Sequence, residues 1–165
     1  ALSVCNEIEY VKVPFTGNQR EDDPKNVFAL DLFVRLFGGT ADKDYNVVPQ
    51  SLVRIEVCDV KVLHNGTFYG LKNVKEIILP KTMEYMGVNM FYNCKSLESF
   101  SIPQGITIIS EGMFDGCESL STIYISKAVK VIEKNAFRNC KNLKEIIYEG
   151  NINDIEIKEG NEILK

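Results

Sequence analysis

The sequence predicts an α/β repeat solenoid, in which coils of about 23 residues stack along one axis and form a parallel β-sheet on one face. Three columns of residues recur with the same 23-residue step and lead to this prediction. Such a period indicates a solenoid, because a single coil cannot bury its apolar face until a neighbour stacks on it. The columns are Phe68, Phe91, Phe114 and Phe137; Leu71, Cys94, Cys117 and Cys140; and Val74, Leu97, Leu120 and Leu143.

One coil, residues 97–119, shows how each element is predicted. It begins with L-x-x-F-x-I, whose last residues alternate as in a short strand. Pro103 and Gly105 follow as turn residues, and a second extended or turn-like segment then brings apolar residues back inward. The same pattern in the other coils predicts six parallel strands, paired in sequence order in one sheet. They lie near residues 11–13, 55–57, 77–79, 100–102, 123–125 and 146–148.

Four of the five cysteines, Cys5, Cys94, Cys117 and Cys140, fall in one column, and Cys58 lies outside it. A buried free thiol packs as a small apolar residue, which suits an interior turn. The chain has a single histidine and no C-x-x-C pair, so the spacing of a zinc site is absent. We therefore predict buried, reduced and unmetallated thiols, with a disulfide between stacked neighbours as the alternative.

The repeat pattern L-x-x-I-x-I-P-x-x-V-x-x-I-x-x-x-A-F-x-x-C-x-x resembles the BspA-like (treponemal-type) leucine-rich repeat. The segments "VPFTG" at 13–17, "FVRLFG" at 33–38 and "VPQSL" at 48–52 are similar to an insertion known in that family. The resemblance implies a right-handed superhelix with a parallel sheet on one face. It also implies a bacterial cell-surface or secreted protein that adheres to host proteins, other cells or glycans.

The chain is predicted to be one leucine-rich-repeat domain, residues 1–165, cut from a longer protein. Residues 14–49 form an insertion within the first coil, and a short helix is predicted between Asp23 and Gly38. Its apolar stripe favours packing on the solenoid flank over a role as a ligand-contacting lip. Residues 156–165 are predicted to be a cap or a truncated end, with Ile152 and Ile155 continuing the columns of Val129 and Ile132.

Composition and motifs exclude several classes of function. The net charge is −4 without a basic block, which disfavours a nucleic-acid partner, and no apolar run reaches the length of a membrane span. The segment D-x-D-x-N at 42–46 lacks the later residues of a calcium loop. His64, predicted to be exposed, has no catalytic partner at a motif spacing. We therefore expect no enzyme activity, cofactor or metal.

The candidate binding site is the outward face of the predicted strands. Tyrosine and arginine are common interface anchors, although an ordinary exposed sheet also carries β-branched and aromatic residues. The candidate partner-binding residues are Tyr10, Lys12, Arg54, Glu56, Glu76, Ile78, Tyr124, Glu145 and Ile147. The other outward residues of these columns are Ser99, Ser101 and Thr122.

We predict a monomeric, non-enzymatic module that binds a protein or glycan at the cell surface or outside the cell, with the host matrix as one candidate source of this ligand. The alternative is a rigid spacer that presents other domains of a longer surface protein. A second apolar column, in the other extended segment, is either a half-buried ladder or an adhesive stripe. It comprises Val62, Tyr85, Ile108 and Val131.

Overall fold

The protein is described by a computed structural model, which covers residues 7–14 and 48–164. Three sequence predictions fall outside these residues: the helix between Asp23 and Gly38, the position of Cys5 and the loop at 42–46. The described residues form about five stacked turns of a parallel-strand β-solenoid with coils of about 23 residues. The α component of the predicted fold class is not confirmed there, and the handedness of the solenoid remains a prediction.

The first flank of the solenoid carries the predicted parallel strands. Within each of two groups, 10–78 and 99–148, every strand pairs in register with its neighbour along the sequence, so that inward and outward residues of successive coils align. The strands are β1 (Tyr10–Pro14), β2 (Arg54–Cys58), β4 (Glu76–Ile78), β6 (Ser99–Ser101), β8 (Thr122–Ile125) and β10 (Glu145–Tyr148).

The second flank carries a ladder of two-residue parallel strands, so the second segment of each coil is extended. The strands are β3 (Val62–Leu63), β5 (Tyr85–Met86), β7 (Ile108–Ile109), β9 (Val131–Ile132) and β11 (Glu156–Ile157). Strand β3 pairs with β5, and β9 lies between β7 and β11.

The core is built around the predicted phenylalanine column. Phe114 has no exposed surface and stacks on Phe91 and Phe137, with ring centroids 5.1 and 5.3 Å apart. Phe68 continues the stack below Phe91 at 5.4 Å. Each coil therefore covers the aromatic ring of the previous one, which confirms the stacking inferred from the 23-residue period.

The cysteine column is also confirmed among the described residues. Cys94, Cys117 and Cys140 are buried and free, and each thiol donates to a phenylalanine carbonyl of the preceding coil. Burial raises the pKa of Cys94 and Cys140 to about 12, because the thiolate would lose its hydration. Cys58 is half-buried and lies outside this column.

A third flank of tight turns joins the two ladders and contains two columns of left-handed residues. In one column glycine and asparagine alternate: Gly66, Asn89, Gly112 and Asn135 all have positive φ. A Cβ at Gly112 would lie 2.1 Å from Oδ1 of Asn89, and one at Gly160 would lie 2.0 Å from Oδ1 of Asn135. Each asparagine side chain thus fills the space that the glycine of the next coil leaves open.

The prediction of one continuous sheet is wrong. The first flank consists of two three-stranded sheets, β1-β2-β4 and β6-β8-β10, with no ladder between β4 and β6. The break coincides with Phe100, the one aromatic residue in an inward column that otherwise holds valine and isoleucine. Its ring packs 4.7 Å from Phe91 and 5.4 Å from Phe114, so it lies against the stacked rings of the two coils that meet at the break.

The last coil is two residues longer than the period, so the predicted register of its apolar residues is also wrong. Ile157, rather than Ile155, pairs with Ile132, while Ile152 lies in an exposed 3-10 helix, Ile152–Asp154. A second 3-10 helix, Glu162–Leu164, ends the described chain.

Asn161 supports the predicted cap. It is buried, its Oδ1 accepts from the Phe137 amide at 3.0 Å, and its Nδ2 donates to the Glu133 and Lys158 carbonyls. In the preceding coil the equivalent acceptor is a backbone carbonyl, to which Phe114 donates. At Phe137 a side-chain oxygen therefore takes the place of the backbone acceptor.

Candidate functional site

The structure places all nine candidate residues on the outward face of the first flank. The register aligns one column through Tyr10, Arg54 and Glu76 and the adjacent one through Lys12, Glu56 and Ile78. Beyond the break, the columns continue through the second sheet with Ser99, Thr122 and Glu145, and with Ser101, Tyr124 and Ile147. We call this surface the strand face.

The break divides the strand face into two chemically different halves. The charged half comprises the outward residues of β1, β2 and β4. Glu56 accepts from the Tyr10 hydroxyl at 2.7 Å and from Lys12 Nζ at 2.5 Å. Arg54 Nε lies 3.2 Å from Glu76 Oε2, and the central carbon of the same guanidinium lies 5.3 Å from the centroid of the Tyr10 ring. The charged groups of this half are therefore neutralised by one another.

The titration behaviour of the charged half follows from these contacts. The hydrogen bond from Lys12, followed by that from Tyr10, lowers the pKa of Glu56 below its usual range. The same bonds to Glu56 raise the pKa of Lys12 and of Tyr10. Lys12 and Tyr10 are exposed and Glu56 is half-buried at the surface, so these contacts orient the side chains more than they stabilise the fold.

The hydroxyl half comprises the outward residues of β6, β8 and β10. Tyr124 is 46% exposed, and it aligns with exposed Ser101 on one side and exposed Ile147 on the other. In the neighbouring column the Thr122 hydroxyl donates to Glu145 at 3.2 Å. This half therefore combines an exposed aromatic ring, an aliphatic side chain and short hydroxyl groups around one carboxylate.

The second apolar column is a half-buried ladder, as one of the two sequence interpretations proposed. Val62, Tyr85 and Val131 are half-buried, and Ile108 is 46% exposed. This flank therefore offers one strongly exposed apolar side chain in mid-array, of the same exposure as Tyr124.

Ion pairs run between coils over much of the described surface. Lys61 contacts Glu84, Lys75 contacts Glu98, and Lys95 contacts Glu118, in each case 23 residues further along the chain. These pairs cross-link neighbouring coils along the long axis, and their exposure keeps each contribution small.

Sequence reasoning missed a polar column on the turn flank, which the 23-residue step could have revealed. Its members are Tyr69, Tyr92, Asp115 and Arg138. The two tyrosine rings stack at 4.8 Å. Asp115 is buried and accepts from Arg138 Nε at 2.9 Å and Nη2 at 2.5 Å, and from Asn139 Nδ2 at 2.9 Å. The buried carboxylate is thus fully paired and holds coils 97–119 and 120–142 together.

His64 is buried, not exposed as its sequence context predicts. Its carbonyl accepts from the hydroxyl of Thr67, which is also buried. Asn65 of the N-G-T tripeptide is half-buried, and its Oδ1 accepts from the Val88 amide. These residues support the turn flank from inside the fold.

Two cavities open on the described part of the chain. The larger, about 780 Å³, lies at the C-terminal end and is lined mainly by apolar residues, among them Ile125, Ile146 and Tyr148. The smaller, about 240 Å³, lies between Val48–Leu52 and Gly70–Val74. Neither brings together groups in the arrangement of a general acid, base and nucleophile. In the residues that the structure describes, no helix is long and apolar enough to cross a membrane.

Comparison with known proteins identifies the repeat. The family model of the BspA-type leucine-rich repeat region matches residues 49–158 with six copies. No curated protein matches the chain.

Two solved structures are similar in fold. A leucine-rich cell surface protein from Faecalibacterium prausnitzii shares 33% identity over 62% of this chain, with a TM-score of 0.60. A leucine-rich repeat protein from Bacteroides ovatus shares 27% identity over 66% of this chain, with a TM-score of 0.51. The match spans only 27% and 30% of those two proteins. From its repeats and its stacked parallel strands, this chain belongs to the family of BspA-type leucine-rich repeat proteins.

Proposed function

We propose that this chain is a non-enzymatic protein-binding module of a bacterial cell-surface protein, and that it binds through the strand face. The observation that carries the proposal is the hydroxyl half, where Tyr124 and Ile147 stand exposed on paired strands. Aromatic residues on a rigid surface bind with little loss of conformational entropy, because two side-chain torsions fix the whole ring. The F. prausnitzii protein, described as a cell surface protein, supports the location.

The chemistry of the strand face also supports a contact that does not depend on net charge. The lysine, arginine and glutamates of the charged half already pair with one another. Long-range steering by this surface is therefore weak, and we expect association rates to change little with ionic strength. The hydroxyl half supplies the buried centre of the contact and the charged half its polar rim.

The test is an array of purified extracellular matrix proteins and glycans, probed with the wild-type chain and with the Tyr124→Ser, Ile147→Ser double variant. We expect the wild type to bind a protein and the double variant to lose at least about 30-fold in affinity. Full binding by the double variant would move the site off the strand face. Binding to glycans alone would contradict the proposed class of partner.

A rigid spacer is the second candidate, and the inter-coil ion pairs favour it. Pairs such as Lys61–Glu84 and the continuous phenylalanine stack stiffen the array along its axis, whatever the strand face does. A spacer binds nothing on the array, and its function survives any exposed substitution that preserves the fold.

A further inference from the structure

We propose that the boundary between coils 74–96 and 97–119 is a flexion joint, at which two rigid blocks of the solenoid bend about the turn flank. On the first flank, the strand pairing is interrupted at this boundary, between β4 and β6. On the second flank, the strand pairing is interrupted at the same boundary, between β5 and β7. Strand β5 pairs only with β3, and β7 pairs only with β9. On both of these flanks of the described solenoid, the ladder of strands is therefore interrupted at the same boundary.

The backbone hydrogen bonds of the second flank can be compared from one coil boundary to the next, because the repeat places equivalent amides and carbonyls at each boundary. Below the joint, the amides of Glu84 and Tyr85 donate to the Lys61 carbonyl at 2.7 and 3.1 Å, and Gly87 donates to Leu63 at 2.9 Å. Above the joint, the same three positions repeat these bonds. Lys130 and Val131 donate to Thr107, and Glu133 donates to Ile109, at 2.8, 3.4 and 2.9 Å.

At the joint itself, the equivalent amides are those of Thr107, Ile108 and Ser110, and none of them donates to the coil below in the described structure. The Ser110 hydroxyl donates instead to the Met86 carbonyl at 2.7 Å. On the first flank a single backbone bond, from Glu98 to the Lys75 carbonyl at 3.1 Å, crosses the boundary.

The turn flank is continuous across the same boundary and supplies the pivot. Asn89, Phe91 and Asn93 donate to the carbonyls of Glu111, Met113 and Asp115 at 3.0, 2.9 and 2.8 Å. The Phe91–Phe114 ring stack also crosses it. The other two flanks have no ladder here and are joined by fewer contacts: the Glu98 amide bond, the Ser110 hydroxyl bond and the exposed Lys75–Glu98 ion pair. The solenoid therefore bends about the turn flank, since its core and turns resist separation more than its interrupted ladders do.

Bending at this joint changes the geometry of the strand face. The charged half lies on the block below the boundary and the hydroxyl half on the block above it. Opening or closing the joint therefore changes the separation of the two halves without changing either of them.

Residue-resolved amide hydrogen exchange tests the joint with controls inside the same molecule. We expect the amides of Thr107, Ile108 and Ser110 to exchange at least tenfold faster than those of Lys130, Val131 and Glu133, which occupy the same positions one coil later. Residual dipolar couplings of residues 52–96 and 97–148 should require two different alignment tensors. Equal protection at the two boundaries, or a single tensor for both blocks, would overturn the proposal.

A matched pair of variants tests the cause. Ser110→Ala removes the one side-chain bond across the second flank at the joint and should raise exchange at Thr107 and Ile108. Ser121→Ala removes a similar hydroxyl-to-carbonyl bond, 3.1 Å to Glu98, at a boundary whose backbone bonds remain, and should leave exchange there unchanged. Similar effects of the two variants would contradict a joint localised at this boundary.

Discussion

Replacement of Phe114 by alanine tests the stacked core. The side chain has no exposed surface, and it contacts three other rings: Phe91 at 5.1 Å, Phe137 at 5.3 Å and Phe100 at 5.4 Å. Loss of a buried phenylalanine costs about 3–5 kcal/mol through the lost transfer free energy and the cavity left behind. Three aromatic neighbours, each worth about 0.5–1.5 kcal/mol beyond burial, place the expected loss toward the upper end.

The assay is urea denaturation followed by circular dichroism, with Ile108→Ala as the control. Ile108 is 46% exposed and lies in the same coil as Phe114, so its removal should change the free energy of unfolding by about 0.5 kcal/mol or less. The slope of the transition should remain similar if unfolding stays cooperative. A loss below about 1 kcal/mol for Phe114→Ala, or equal losses for the two variants, would refute a core built on the ring stack.

Four further predictions concern the turn flank, the thiols and the ion pairs. Gly112→Ala should lower the unfolding midpoint, because φ at this residue is +60° and the new Cβ would lie 2.1 Å from Asn89 Oδ1. Asn89→Gly in the same chain should restore part of the lost stability. Strictly additive effects of the two substitutions would contradict this contact. In the native protein a thiol reagent should modify Cys58 first, and Cys94 and Cys140 only after denaturation; rapid reaction of all of them would contradict their burial. Because burial raises the folded-state pKa of Cys94 and Cys140 from 9.0 to about 12, stability should fall as pH rises above about 9, where the unfolded thiols ionise first. Hydrogen bonds from lysines lower the pKa values of Glu56, Glu118 and Glu159, so thermal stability should also fall as pH decreases below about 4.5. An unchanged melting temperature there would show that these three carboxylates contribute nothing.

The sequence predicted those features of the fold that repeat with the 23-residue step. Ile55, Ile77 and Ile123 lie inward on paired strands, and the cysteine column is buried, because period and polarity alone place these residues. The break between the sheets could not be predicted in this way. Phe100 satisfies the apolar pattern as well as isoleucine does, and only the structure shows that it packs against the Phe91 and Phe114 rings at the break.

Two other features escaped the sequence for different reasons. The alternation of Gly112 with Asn89 and Asn135 lies on the 23-residue step, but asparagine and glycine are also ordinary loop residues, and only the backbone angles show their common conformation. The longer last coil breaks the period itself, so Ile157 could be placed only from its hydrogen-bonded partner, Ile132.

For the candidate site, the sequence placed the outward columns but not the contacts within them. The alternation of strand residues put Tyr10, Arg54 and Glu56 on one face, and the register confirms that position. Which of these side chains pair with one another depends on how the strands are placed in the sheet. The division of the strand face beside Phe100 depends on the same placement. Sequence reasoning therefore treated as one surface what the structure divides into a charged and a hydroxyl half.

The most direct test of the proposed function compares two side chains of equal exposure on different flanks. Tyr124, on the strand face, and Ile108, on the second flank, are both 46% exposed. The dissociation constant of the strongest protein hit on the array is measured for Tyr124→Ser and for Ile108→Ser. The account predicts a loss of about 30-fold or more for Tyr124→Ser, as for an interface anchor worth about 2 kcal/mol, and less than threefold for Ile108→Ser. Retained affinity in Tyr124→Ser together with a loss in Ile108→Ser would contradict binding through the strand face.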